Sequence, residues 1–148
     1  MKLLAINQSR DRVARAWLER WVRALGLNLA KRKKSPSLRK QELVIVFVNP
    51  PEMKRLNRLY RGKDYATDVL SFETADEDSL GELVLCWPTI QSQSKRTGLS
   101  PRGELGYMIV HGVLHLLGYD HGDRESEAQM FAMQDQIYAQ LEKSVGLR

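Results

Sequence analysis

All three histidines of this 148-residue chain fall within eleven positions, His111 to His121. No other feature limits the fold as tightly. His111 and His115 are four residues apart, so a helix stacks them one turn apart on one face. Gly118 supplies a residue that takes positive φ and stops a helix. The turn it permits brings His121 back toward the other two. Three imidazoles meeting at one point suit a zinc ion with a fourth position left open.

The spacing His-x3-His-x2-Gly-x2-His matches the ligand pattern of metzincin proteases, with one decisive departure. Where those enzymes carry a glutamate base beside the first histidine, this chain has Gly112. The zinc geometry is therefore expected and the peptidase chemistry is not. Structural zinc sites usually close with four protein ligands and are rich in cysteine. The only cysteine, Cys86, lies on a predicted strand, where it packs as a small hydrophobe. One Zn2+ per chain, held by His111, His115 and His121 in a catalytic arrangement, is the expectation. Such an ion lowers the pKa of bound water to about 7 and acts as a Lewis acid on a phosphoryl or carbonyl oxygen. Asp120 is a candidate acceptor orienting a ligand histidine, and equally a turn residue after the helix.

The apolar pattern predicts the scaffold. Lys2 to Gln8 reads as a strand. A helix follows, with Asp11 as N-cap, an apolar face from Val13 to Leu25 and Gly26 near its end. Lys31 to Ser37 reads as a basic loop broken by Pro36. Leu43 to Val48 is a continuous β-branched run, as in a strand buried on both faces. Asn49-Pro50-Pro51-Glu52 opens a helix with Asn49 as cap and Glu52 completing a box-like pattern. Strands are expected at Asp68–Phe72 and Leu83–Trp87, a helix at Ile90–Thr97, and the histidine helix begins at Ser100-Pro101. A last helix spans about Glu125–Lys143. The fold class is α+β: one domain, 1–148, with a small mixed four-stranded sheet, about five helices and the metal site at the end of a central helix.

Charge is unevenly placed. Residues 1–63 carry 17 Lys+Arg against 4 Asp+Glu, a balance of +13, and residues 64–148 a balance of −8. A basic half beside an acidic half bearing a metal motif points to a polyanionic partner, and equally to solvated helix faces. The first apolar run, Leu3 to Ile6, is too short for a signal-peptide core, and no stretch approaches a membrane span. A single cysteine excludes an internal disulfide, so a cytoplasmic location is expected.

HGVLHLLGYDH, His111 to His121, resembles the signature of the YbeY family, bacterial metal-dependent endoribonucleases of ribosomal RNA maturation. The stretch from Tyr60 to Phe72, with Arg61, Asp64, Thr67, Asp68 and Ser71, resembles the family's Arg…Asp…Thr-Asp-Val-Leu-Ser-Phe segment. Leu80-Gly81-Glu82-Leu83 is similar to its Leu-Gly-Asp-Leu strand. The resemblance covers roughly 43–140. Ala66 departs from it, standing where the family commonly has proline, and the basic segment 31–40 matches no family motif.

The resemblance implies a zinc-dependent, single-strand-specific endoribonuclease acting on ribosomal RNA precursors, including the 3′ end of 16S rRNA, in ribosome quality control. It implies association with the ribosome, with no membrane and no organic cofactor. By position His111, His115 and His121 would be the metal ligands, His111 and Arg61 the catalytic residues, and Thr67, Asp68, Ser71 and Asp120 would shape or support the cleft. A guanidinium at Arg61 can hold phosphate oxygens bidentately. Two other readings stand beside this one: a metallopeptidase drawing its base from elsewhere, such as Glu104, and a ribosome-associated RNA-binding module with structural zinc. Trp17, Trp21 and Trp87 can stack on bases but are expected to pack in the core.

Overall fold

The computed structural model describes residues 1–119 and 122–148. Four strands, β1 (Lys2–Asn7), β2 (Glu42–Phe47), β3 (Val69–Phe72) and β4 (Ser79–Leu85), form one sheet in the order β1-β2-β4-β3. β1 and β2 are parallel, as are β2 and β4, while β3 runs antiparallel to β4. Among the described residues five helices accompany them: α1 (Arg15–Arg32), α2 (Pro50–Arg61), α3 (Trp87–Thr97), α4 (Pro101–Leu116) and α5 (Arg124–Val145). The mixed α+β sheet and the helix count are as expected.

Strand alternation divides the interior between two faces. Leu43, Ile45, Phe47, Leu83 and Leu85 join α1, α4 and α5 in the larger core. Val46, Val48, Leu70, Val84 and Cys86 pack beneath Met53 of α2 in the smaller one. The unbroken apolar run of β2 is thus buried on both sides. Trp17 and Trp21 lie in the larger core with stacked rings 4.9 Å apart, so neither meets solvent bases.

Several local readings are corrected. α1 does not end near Gly26 but continues to Arg32. Gly26 is required there by close approach, since a Cβ would lie 2.5 Å from Cβ of Met1. Asp11 caps nothing, because the helix starts after Ala14. The basic segment is not all loop: its first two residues finish α1, and Pro36–Arg39 form a 3-10 turn. Asn49 occupies the N-cap of α2, but its Oδ1 accepts Arg10 N–H at 3.0 Å instead of capping, and Glu52 pairs with Arg55. β4 begins at Ser79, earlier than read, through a bulge opposite Glu42 and Leu43 at which Gly81 has φ 127°. Trp87 then opens α3 instead of closing a strand.

α4 carries the first two histidines, and its ends are as read. Ser100 Oγ accepts Gly103 N–H at 3.0 Å, Pro101 fills the first turn, and Gly118 follows the helix with φ 94°. The middle of α4 lies flat on the sheet because Gly112 has no side chain. A Cβ there would sit 2.7 Å from Leu83 Cδ2 and 3.3 Å from Ser71 Oγ.

Candidate active site

The end of α4, the strand β3 and the last turn of α2 enclose a cavity of about 480 Å³. His111, His115, Arg61, Ser71, Glu73 and Tyr119 supply its polar lining. Both histidines are half-buried at its inner end. Their Nε2 atoms face each other at 3.1 Å, with ring planes 80° apart. Two nitrogens bound at about 2.05 Å to one tetrahedral ion stand about 3.3 Å apart, so the observed pair is set for a shared cation.

A residue absent from the sequence reading orients His111. Nδ1 of His111 lies 3.0 Å from Oε1 of Gln134, which is fully buried on α5. An amide oxygen only accepts, so Nδ1 carries the proton and Nε2 turns its lone pair toward His115. The amide oxygen takes the place that a carboxylate, backbone carbonyl or water ordinarily fills beside a ligating histidine. Phe131, one turn earlier on α5, holds its ring 25° from the plane of the imidazole, with centroids 6.4 Å apart. Phe131 is partly exposed. Gln134 could have been noticed in the sequence as a polar residue on the stripe Met130, Ile137, Tyr138, Leu141, all of which are buried.

Arg61, the last residue of α2, reaches across to β3. Its Nη2 donates to the Ser71 carbonyl at 3.1 Å, and its guanidinium lies 5.9 Å from the Phe72 ring centre. Gly62, left-handed at φ 69°, ends the helix there and turns the chain away. The side chain is exposed, so a positive charge stands in the cleft, anchored at one edge. Ser71 also donates through Oγ to the Gly112 carbonyl at 3.4 Å, tying β3 to the histidine helix. Glu73, exposed just past β3, is the one carboxylate among the described lining residues. Nothing in the sequence singled it out, because only the fold turns the end of β3 toward α4.

Thr67 and Asp68 do not line the cavity. Asp68 Oδ1 accepts Val69 N–H at 2.8 Å and Thr67 Oγ1–H at 3.2 Å, while Oδ2 accepts from Gln93 at 3.0 Å. Gln93 also donates to Glu104 at 2.6 Å, and Thr97 donates to that carboxylate's other oxygen at 2.8 Å. Glu104 is buried, occupied at both oxygens and outside the cleft lining, so it is not placed to act as a base there. Asp120 and His121 lie outside the described residues. Among the described residues no group of three His, Cys, Asp or Glu forms a metal cluster, and two of the three expected ligands, His111 and His115, are described. The donor chemistry fits a borderline divalent ion: neutral imidazoles, one with its far nitrogen already held.

Comparison with known proteins places these features in company. A family model described as Endoribonuclease YbeY matches residues 4–142. The chain is 44% identical to the Endoribonuclease YbeY of Bdellovibrio bacteriovorus, with all of both chains aligned. It is 36% identical to that of Staphylococcus saprophyticus, over 80% of this chain and 85% of that one. A Thermotoga maritima protein solved in solution superposes with a TM-score of 0.63 at 26% identity, covering 95% of this chain and 91% of that one. No helix among the described residues is long and apolar enough to cross a membrane.

Proposed function

The chain belongs to the YbeY endoribonuclease family, and from that premise we propose that it cleaves single-stranded ribosomal RNA precursors at the cleft between α4 and β3, with zinc held by His111, His115 and His121. That it is an endoribonuclease, a hydrolase of phosphodiester bonds, follows from the family. The observation that carries the site assignment is the facing of the two Nε2 atoms at 3.1 Å in a cavity that also holds Arg61.

When bound, the ion would supply Lewis acidity toward the phosphate and a nucleophile at neutral pH. The remaining work falls to this chain's own groups. Gln134 fixes His111 in the tautomer that keeps Nε2 able to coordinate. The Arg61 fork, anchored on the Ser71 carbonyl, offers further N–H groups to the non-bridging phosphate oxygens and offsets charge developing there. Glu73 lines the same cavity and offers carboxylate Oε atoms there as proton acceptors. Val69, Leu70 and Leu116 line the cavity with apolar surface, which strengthens each of these electrostatic contacts. Association with the ribosome and a cytoplasmic location accompany this reading and are part of the proposal.

The test is metal analysis of purified wild type beside His111→Ala and His115→Ala, with cleavage of single-stranded RNA measured on all three. The expected result is about one ion per wild-type chain, little in either variant, and cleavage lost with the metal. Variants that cut RNA as fast as wild type would overturn the site. Metal-replete protein that binds RNA without cutting it, and melts on chelation, would show the ion to be structural.

A further inference from the structure

The active cleft opens beside the most basic stretch of the chain. Residues 31–40 contain six Lys or Arg and no Asp or Glu. Tyr119, which lines the cavity, receives a hydrogen bond on its hydroxyl from Lys33 Nζ at 2.9 Å. The same ammonium stands 4.4 Å from the centre of the Tyr119 ring. The end of α1 thus reaches the rim of the cleft. Behind it a groove of about 490 Å³ between α1 and α5 is lined by Asn28, Lys31, Arg32 and Gln140.

The chemistry of that groove is that of a site for an anionic chain. Arg32 donates to Asn28 Oδ1 at 2.8 Å, to Gln140 Oε1 at 3.2 Å and to Gln136 Oε1 at 3.4 Å. All three partners are neutral amides, so its orientation is fixed while its charge stays uncancelled. No ion pair among the described residues involves any cation of 31–40. A helix that merely needed solvation would place carboxylates at i±4 or on the facing helix, and α5 presents glutamines here instead. The negative end of the α1 dipole accounts for basic residues in the last turn, Lys31 and Arg32. It reaches Lys33, the C-cap, as well, but does not account for the direction of that side chain, whose Nζ meets the Tyr119 hydroxyl.

We propose that this groove continues the active site: Lys33, Lys31 and Arg32, with the amides of Asn28, Gln136 and Gln140, hold the phosphodiester backbone of single-stranded RNA flanking the cleavage point, the strand leaving the cleft past Tyr119. The proposal rests on the endoribonuclease reading above and adds to it a path and a length dependence. Recognition is of the backbone, independent of base sequence, because among the described residues the groove offers cations and amide donors and no aromatic platform beyond Tyr119.

The experiment compares wild type with Lys31→Gln/Lys33→Gln, using 2′-O-methyl single strands of about 16 and about 4 nucleotides in a salt titration. Each single-strand phosphate contact contributes about 0.7 to the slope of log affinity on log salt. The double variant is therefore expected to flatten the slope on the long strand by about 1.4 and to bind it about 25-fold more weakly near 0.1 M salt. On the short strand the loss should be less than about threefold, since that strand ends within the cleft. Lys31→Arg/Lys33→Arg should keep the wild-type slope. An unchanged slope, an equal loss at both lengths, or a loss as large in the arginine variant would overturn the path. RNA cleavage by wild type with an unchanged slope removes the path and leaves the nuclease. A lysine-dependent slope in a wild type that cuts no RNA removes the nuclease reading and leaves the binding groove.

Discussion

Replacing Gly112 by alanine tests the contact that seats the histidine helix on the sheet. Taken alone, alanine in a helix interior is favoured over glycine by about 1 kcal/mol. Here the new methyl meets Leu83 Cδ2 at 2.7 Å, against 3.4 Å for ordinary contact, so one of them must give by about 0.7 Å. Leu83 is fully buried on β4, between β2 and β3, and cannot swing into solvent. Overpacking of this kind costs about 1–3 kcal/mol. The net expectation is a loss of up to about 2 kcal/mol, a fall in Tm of up to about 8 °C for a chain of this size. The assay is thermal and urea unfolding of Gly112→Ala, repeated in a Leu83→Val background. Removing one Leu83 methylene should relieve much of the penalty, giving a coupling of about 1 kcal/mol between the sites. A Gly112→Ala protein that melts at or above the wild-type temperature would refute the reasoning. So would the same penalty in both backgrounds. The same geometry explains why a glutamate cannot stand at 112: its side chain would enter the α4–sheet interface, away from the two Nε2 atoms.

Arg61→Lys should lower single-turnover RNA cleavage about 100-fold, because an ammonium cannot both hold the Ser71 carbonyl and offer a planar fork to phosphate. Its melting temperature should stay within about 1 °C of wild type, as expected for an exposed side chain. Near-normal cleavage by the lysine variant would leave Arg61 a simple surface charge. Stability should also fall at alkaline pH. Burial, reinforced by the charge of Glu142, pushes the Tyr138 hydroxyl from 10.0 up to about 12. Burial and the hydrogen bond to Asp135 push Tyr107 in the same direction. A raised folded-state pKa gives stability that is complete below pH 10 and is lost as pH rises toward 12. Urea titrations between pH 9 and 12 should show that loss, and Tyr107→Phe/Tyr138→Phe should flatten it.

Much of the site was legible before any coordinates. The i, i+4 histidines, the Ser100-Pro101 start and the Gly118 stop are local rules of the helix, and α4 obeys each of them. The β-branched run at Leu43–Val48 announced a strand buried on both faces, since only a helix-covered sheet buries such a run. What failed was also local in origin. Gly26 looked like a helix stop, but the approach of Met1 from 25 positions away makes it an interior contact. Asn49 looked like a capping side chain, but Arg10 of a distant loop takes its oxygen.

The sequence by itself determined the i, i+4 histidine pair, the start and stop of the helix that carries it and the uneven spread of charge, because these depend on residue type and on spacing along the chain. Only the tertiary structure decided which side of His111 would be held, that Glu73 shares its cavity, and that a basic helix end meets Tyr119 at the rim. Each of those facts joins residues from separate elements. Their proximity comes from the packing of α1, α5 and β3 against α4, which no periodicity along the chain can express.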